Sequence, residues 1–148
     1  MSRRAFALPV VLAAMVLMAM VVAVGAQRAL RSMRQAGLEL ARVELAIAVA
    51  GGQSAGLDSV GVRACCPVII PGALIASGEA VTGRARARWT LVGAAPPFAA
   101  MDLTAETPVY GGNARVRHRL LLAWEPDSTG LGRWVPLAGL GWTRVPSP

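Results

Sequence analysis

A long apolar run opens the chain, directly after the short basic start Met1 to Arg4. It extends from Ala5 to Ala26 and contains no charged side chain in its 22 residues. As a helix it would be about 33 Å long, close to the thickness of the hydrocarbon core of a bilayer. Backbone polar groups in lipid need partners within their own segment, so an inserted segment must be helical. The pattern predicts one membrane-spanning helix over residues 6–26.

The apolar run continues without a breaker into an amphipathic segment, Gln27 to Ala50. Its polar side carries Arg28, Arg31, Ser32, Gln35, Glu39 and Arg42, and its other side carries Leu30, Met33, Gly37, Leu40, Ala41, Leu45 and Ala48. Spacings of three and four are typical of a helix that packs on one face. Two consecutive glycines, Gly51 and Gly52, are expected to end it. We therefore predict one helix over residues 6–50, whose second half packs against a globular part.

The rest of the chain shows loop signals and then strand signals. Residues 51–81 are rich in Gly, Ser, Ala and Pro, which predicts a loop-rich connection. Apolar and polar residues alternate over Thr82–Val92 and Ala114–Trp124, a turn cluster follows at Glu125–Gly130, and short strands are expected at Arg133–Leu137 and Trp142–Val145. A helix followed by antiparallel strands predicts an α+β fold, with the antiparallel β region over residues 82–148.

Charge adds one candidate surface. The formal net charge is +7, and all fifteen basic residues are arginine. If the two alternating strands pair, six arginines share one basic face: Arg84, Arg86, Arg88, Arg115, Arg117 and Arg119. Such a face suits nucleic acid, anionic lipid or an acidic partner. A solvated sheet face in an arginine-rich chain explains the same pattern, and nucleic acid is not favoured, because Trp89 and Trp124 lie on the opposite side.

Catalytic and metal chemistry find little support. One histidine, two adjacent cysteines and eight scattered acids form no ligand set with metal spacing. There is no GxSxG, P-loop or GxGxxG motif. His118 lies on the apolar side of its strand and is expected to be a partly buried, hydrogen-bonded side chain, and Glu125 and Asp127 flank Pro126 in a turn. We predict a protein that is not an enzyme and has no cofactor and no metal site.

The adjacent pair Cys65 and Cys66 leaves three alternatives open. The two residues can form a vicinal disulfide, bond to another subunit, or remain reduced as small apolar side chains. An oxidising compartment favours the disulfide.

The N-terminal segment also has three interpretations. It can be a permanent anchor, or a secretory signal cut after Val24-Gly25-Ala26 and before Gln27. The third is a prepilin leader. Arg3-Arg4-Ala5 followed by Phe6-Ala7-Leu8-Pro9 resembles the start of type IV pilins and type II secretion pseudopilins, and the resemblance covers about residues 3–50. It implies a leader over residues 1–5, cleavage between Ala5 and Phe6 by a prepilin peptidase, and methylation of Phe6.

Two positions depart from the family pattern. Ala5 stands where the family usually has Gly, and Val10 stands where the fifth mature residue is normally Glu. In the family that Glu neutralises the terminal amine of a neighbouring subunit, and certain minor subunits lack it. The resemblance therefore implies a minor pilin or pseudopilin of a bacterial type IV pilus or type II secretion system, with other such subunits as partners. It also implies a single-pass inner-membrane precursor with a periplasmic C-terminal domain.

The competing function is a small β-domain binding module with a basic arginine face, either exported in soluble form or anchored by one span. Charge alone does not fix the orientation of the span. Arg3 and Arg4 favour a cytoplasmic N-terminus, whereas Arg28, Arg31 and Arg34 follow the span directly and favour the opposite direction.

Overall fold

The computed structural model describes residues 4–61, 64–65 and 69–146. One long helix is followed by an antiparallel sheet, which confirms the α+β prediction. Helix α1 covers Arg4–Val60, and the strands are β1 Ala64–Cys65, β2 Leu74–Thr82, β3 Ala85–Gly93, β4 Phe98–Val109, β5 Gly112–Pro126, β6 Leu131–Pro136 and β7 Thr143–Val145.

The chain divides into two compact units, and α1 contributes to both. We call Met1–Glu39 the helical unit and Leu40–Pro148 the sheet unit. In the helical unit every side chain from Pro9 to Glu39 is exposed. Within the described residues, one helix is long and apolar enough to cross a membrane. The helical state predicted for the apolar run is therefore confirmed.

The predicted end of the helix at Gly51 and Gly52 is wrong, because α1 continues to Val60. A Cβ atom added to Gly52 would lie 2.7 Å from both the Ala87 Cβ and the Leu103 Cδ1. One added to Gly56 would lie 3.0 Å from the Met101 sulfur. Glycine inside a helix costs about 1 kcal/mol relative to alanine, but here it lets the helix approach the sheet closely. Packing on the sheet thus extends the helix through a segment predicted as loop.

The sheet has the strand order β1-β6-β5-β4-β3-β2, and its neighbouring strands are antiparallel. β5 is 15 residues long and pairs with two short strands along the same edge. β6 pairs with it from Leu122 to Pro126, and β7 pairs with it from Arg117 to Arg119. The two short strands predicted after the turn cluster are both confirmed, and the first of them forms a hairpin with β5.

Two further boundaries differ from the prediction. The loop-rich connection over residues 51–81 contains the last turns of α1 and most of β2. A single strand from Thr82 to Val92 is also wrong, because Gly83 and Arg84 form a two-residue turn between β2 and β3. Gly83 has a φ of +60°, which glycine adopts without steric cost. The antiparallel β region therefore begins before residue 82, with the two-residue strand β1 at Ala64 and then β2 at Leu74.

A small apolar core lies between one face of the sheet and the last part of α1. Burial alternates along β3 and β4, as expected for strands with one packed face. The buried set comprises Ala48, Val60, Ala85, Ala87, Trp89, Leu91, Ala99, Met101, Leu103, Ala105, Leu120, Leu122 and Trp134. Ala41 and Ala48 of the predicted packed face are buried, but Leu30, Met33 and Leu40 are more than half exposed, so the prediction is wrong for the part of that face before Ala41.

Candidate functional site

The outer face of the sheet, opposite the core, carries most of the predicted arginines. Residues directly opposite each other on neighbouring strands share a face, so the register identifies its members. Three rows cross β3, β4 and β5 in that order: Arg86, Glu106 and Arg115; Arg88, Thr104 and Arg117; Thr90, Asp102 and Arg119. Five of the six predicted arginines therefore lie on one face, which we call the outer face.

The two arginine-bearing strands do not pair with each other, because β4 lies between them. β4 adds Asp102 and Glu106 to the outer face. Arg115 Nη2 lies 3.0 Å from Glu106 Oε2, and Arg119 donates to both carboxylate oxygens of Asp102, at 2.6 and 2.8 Å. Hydrogen bonding to Asp102 and its charge raise the pKa of Arg119. The outer face thus alternates in sign and is not uniformly basic.

Two arginines of the outer face differ from the others. Arg88 Nη2 lies 3.9 Å from Glu79 Oε2 on the edge strand β2. Arg88, Arg115 and Arg119 therefore each have a carboxylate neighbour. In the part of the chain that the structure describes, no carboxylate lies within ion-pair distance of Arg86 or Arg117. These two arginines carry the positive excess of the outer face.

Arg84, the sixth predicted arginine, has a different role. It lies in the turn between β2 and β3, and its guanidinium binds Glu44 of α1, with Nε to Oε1 at 3.1 Å and Nη2 to Oε2 at 3.3 Å. Glu44 also accepts a hydrogen bond of 2.9 Å from Thr107 Oγ1. Thr107 is only 1% exposed. Placing Arg84 on the outer face is therefore wrong, because the turn redirects its side chain to the helix.

Sequence reasoning missed the role of Glu44. Its hydrogen bonds from Arg84 and then from Thr107 lower its pKa below the ordinary value. The signal was a carboxylate at Glu44 directly before the apolar Leu45, on a helix predicted to pack there. We call Glu44, Arg84 and Thr107 the polar clasp, because they join α1 to β4 and to the turn before β3 within the sheet unit.

His118 is partly buried, as predicted, but the predicted hydrogen bonding is not found at its Nδ1, which has no partner among the described residues. Burial lowers its pKa, and the charge of Arg144, its partner residue on β7, lowers it further. A neutral imidazole is the form that this environment favours. In the described ranges, no group of three His, Cys, Asp or Glu residues is placed to hold a metal ion.

The remaining candidate residues have local roles or lie outside the described residues. Asp127 Oδ1 accepts hydrogen bonds from the backbone N–H of Thr129 and Leu131, at 2.8 and 3.1 Å, which fits the predicted turn. Cys65 lies in β1, but Cys66 is outside the described residues, so the disulfide stays a prediction. Ala5 and Phe6 belong to the first turn and a half of α1, and their cleavage also stays a prediction.

The chain matches no protein-family model, no curated protein and no solved structure.

Proposed function

We propose that this protein is a structural subunit resembling a minor pilin or pseudopilin, held in a membrane by its N-terminal helix before assembly. One observation carries the proposal. A single helix, Arg4–Val60, begins with an apolar segment of membrane-spanning length and ends packed on a small antiparallel sheet. A subunit of this kind needs both features in one element, since the apolar part associates with lipid or other subunits and the sheet forms the outer domain.

The exposed apolar segment supports a membrane or filament environment. Large side chains such as Val11, Met15 and Leu17 are all more than half exposed. Each gains about 1.5–3 kcal/mol when it is transferred from water to an apolar environment. A segment with many such residues and no charge therefore needs lipid or neighbouring helices around it.

The residues at the start of the helix support a specific kind of subunit, one that is processed like a prepilin. In the proposed sequence of events, a prepilin peptidase cuts between Ala5 and Phe6, Phe6 is methylated, and the helix joins those of partner subunits. Val10 supplies no carboxylate for the terminal amine of a neighbour, which favours a minor subunit over the main filament subunit. The sheet unit would then lie on the periplasmic side of the inner membrane.

Sequencing and intact mass of the mature N-terminus test this proposal. The full chain is expressed with a prepilin peptidase, and the membrane fraction is analysed beside an Ala5→Leu variant and a pilin known to be processed. We expect a start at Phe6 with an added methyl group, and loss of processing in the variant. A start at Gln27 would identify an exported soluble domain. An uncut chain beside a processed pilin would identify a simple anchor.

The outer face supports the second candidate, a binding module for an anionic partner. Arg86 and Arg117 are the arginines available for such a role. If the outer face binds DNA, Arg86→Gln with Arg117→Gln lowers the affinity and reduces its salt dependence. The matched control, Arg42→Gln with Arg144→Gln, removes the same charge outside the outer face. Equal DNA binding by both variants would exclude the outer face.

A further inference from the structure

Three arginines of α1 follow the apolar run at regular intervals. Arg28, Arg31 and Arg34 come two, five and eight residues after Ala26, and all three are exposed. On a helical rise of about 1.5 Å per residue, they lie roughly 3, 7.5 and 12 Å beyond the end of that run. The polar interface on each side of a bilayer is about 5–7 Å thick. If the run spans the membrane, the first two arginines lie at or next to the level of the headgroups.

Helix geometry turns the third arginine towards the same layer. Side chains on an α-helix lean towards its N-terminus, which is the direction of the apolar run for every residue that follows it. Arginine has a long apolar stem and extends its guanidinium to the interface. Arg34 can therefore reach the headgroups from a backbone position just outside them.

The three arginines also lie on one side of the helix. Successive steps of three residues place them within an arc of about 120°. Gln35 falls within this arc, whereas Met33 falls on the opposite side of the helix and is exposed. This concentrates three guanidinium groups on one surface, which we call the arginine collar.

We propose that the arginine collar binds the headgroups of anionic phospholipids where α1 leaves the membrane. This inference depends on the membrane insertion contained in the proposed function. Guanidinium groups bind phosphate oxygens through paired, charge-assisted hydrogen bonds. The depth of the collar favours lipid over nucleic acid, because its members lie at the height of the bilayer surface and no aromatic residue lies among them to stack on bases.

Lipid binding by the collar also bears on the orientation of the span, because basic residues flank the span on both sides. Arginines on the far side of a span oppose its translocation. Lipid phosphates bound to Arg28, Arg31 and Arg34 compensate these charges once the segment has crossed. The same contacts hold the precursor at one depth in the bilayer.

Native mass spectrometry of the full chain in mixed micelles tests the collar. Phosphatidylglycerol and phosphatidylcholine are supplied at equal concentration, and the ratio of the two bound lipids is measured. Each arginine near an anionic surface corresponds to about five-fold in affinity. We expect a clear preference for phosphatidylglycerol that falls at least tenfold when Arg28, Arg31 and Arg34 are all changed to Gln. The matched control changes Arg42, Arg133 and Arg144 to Gln, which removes the same charge outside the collar, and keeps the preference.

Each alternative result overturns the inference in a recognisable way. An unchanged lipid ratio in the collar variant shows that these arginines do not select the lipid. Displacement of phosphatidylglycerol by millimolar inorganic phosphate shows a site for free phosphate instead of a lipid headgroup. Alkaline extraction of the chain from vesicles is measured separately. Release from the vesicles contradicts membrane insertion and the collar together, whereas retention without lipid preference contradicts the collar alone.

Discussion

The two parts of α1 are helical for different reasons. From Pro9 to Glu39 every side chain is exposed, and the sequence contains good helix formers such as Ala, Leu and Met. From Leu40 to Val60 the helix contains Gly51, Gly52 and Gly56, which are poor helix formers, yet its residues at the sheet are buried. The first part depends on its own propensity and its surroundings, and the second depends on packing within the sheet unit.

This difference means that each part responds to its own class of mutation. A change in the core of the sheet unit lowers the free energy of unfolding of that unit. A charge in the apolar run is expected to weaken the proposed membrane insertion and to leave the sheet unit unchanged.

The largest expected effect is on the core of the sheet unit. Leu103 is fully buried, and Leu103→Ala leaves a cavity that costs about 4 kcal/mol. The free energy of unfolding, measured by urea denaturation of the full chain in detergent, reports this loss. Leu121→Ala removes the same atoms from a side chain that is 38% exposed, and its cost should be well under half. Equal costs would contradict the assignment of the core.

The next effect concerns the helical unit. Val16→Arg places a charge near the middle of the apolar run, which costs about 3 kcal/mol in a membrane. We expect the chain to shift from the membrane fraction to the soluble fraction, with no change in the urea midpoint of the sheet unit. Met33→Arg is the control, because residue 33 lies beyond the run. An unaffected membrane fraction with Val16→Arg would argue against insertion.

A smaller effect is expected from the helix glycines. Gly52→Ala brings a methyl group against Ala87 and Leu103 and should destabilise the sheet unit by about 2 kcal/mol. Gly37→Ala meets no atom within 4 Å, and should raise the helicity measured by circular dichroism. The two substitutions should have opposite effects on the stability of α1, and this difference separates the contribution of packing from that of helix propensity. A stabilising Gly52→Ala would contradict the close approach of α1 to the sheet.

The polar clasp should give the sheet unit a small dependence on pH. The pKa of Glu44 is lowered from its ordinary value of 4.5 by Arg84 and Thr107. A carboxylate with a lowered folded-state pKa stabilises the fold above that ordinary value, and the contribution is lost as the pH falls through the folded-state pKa. Acidification below about pH 4.5 should therefore destabilise the wild-type chain more than Glu44→Gln. Urea midpoints across this range check it, with Glu125→Gln as control. Parallel pH profiles for wild type and Glu44→Gln would exclude the clasp.

The structural features that are set by residues close together along the chain could be predicted from the sequence. The apolar run, the alternation of β3 and β5, and the turn at Asp127 all follow from local patterns. The end of α1 could not, because Gly52 and Gly56 are explained by Ala87, Leu103 and Met101, which are distant in the chain.

β2 was missed for a similar reason. Gly78 weakens its strand pattern, but a Cβ atom there would lie 2.5 Å from Trp89 Cζ2 on the neighbouring strand. The glycine is required by a cross-strand contact that the local sequence does not reveal.

The arginines of the outer face could be predicted from the sequence, but their neighbours could not. The alternation of side chains along each strand placed five of them on one face: Arg86, Arg88, Arg115, Arg117 and Arg119. It could not show that β4 lies between the two strands, because strand order depends on the whole sheet. The acids of β4, and the turn that directs Arg84 to Glu44, are consequences of that order.

Hydrogen–deuterium exchange of the full chain in a lipid bilayer measures the stability of both parts of α1 in one experiment. We propose that the first part is stabilised by its apolar surroundings and the second by the sheet. We predict slow amide exchange over residues 9–26 and again over residues 41–60, with faster exchange between them, where no packing supports the helix. Fast exchange over residues 51–60 would contradict the packed end of α1. Fast exchange over residues 9–26 would contradict its insertion in the membrane.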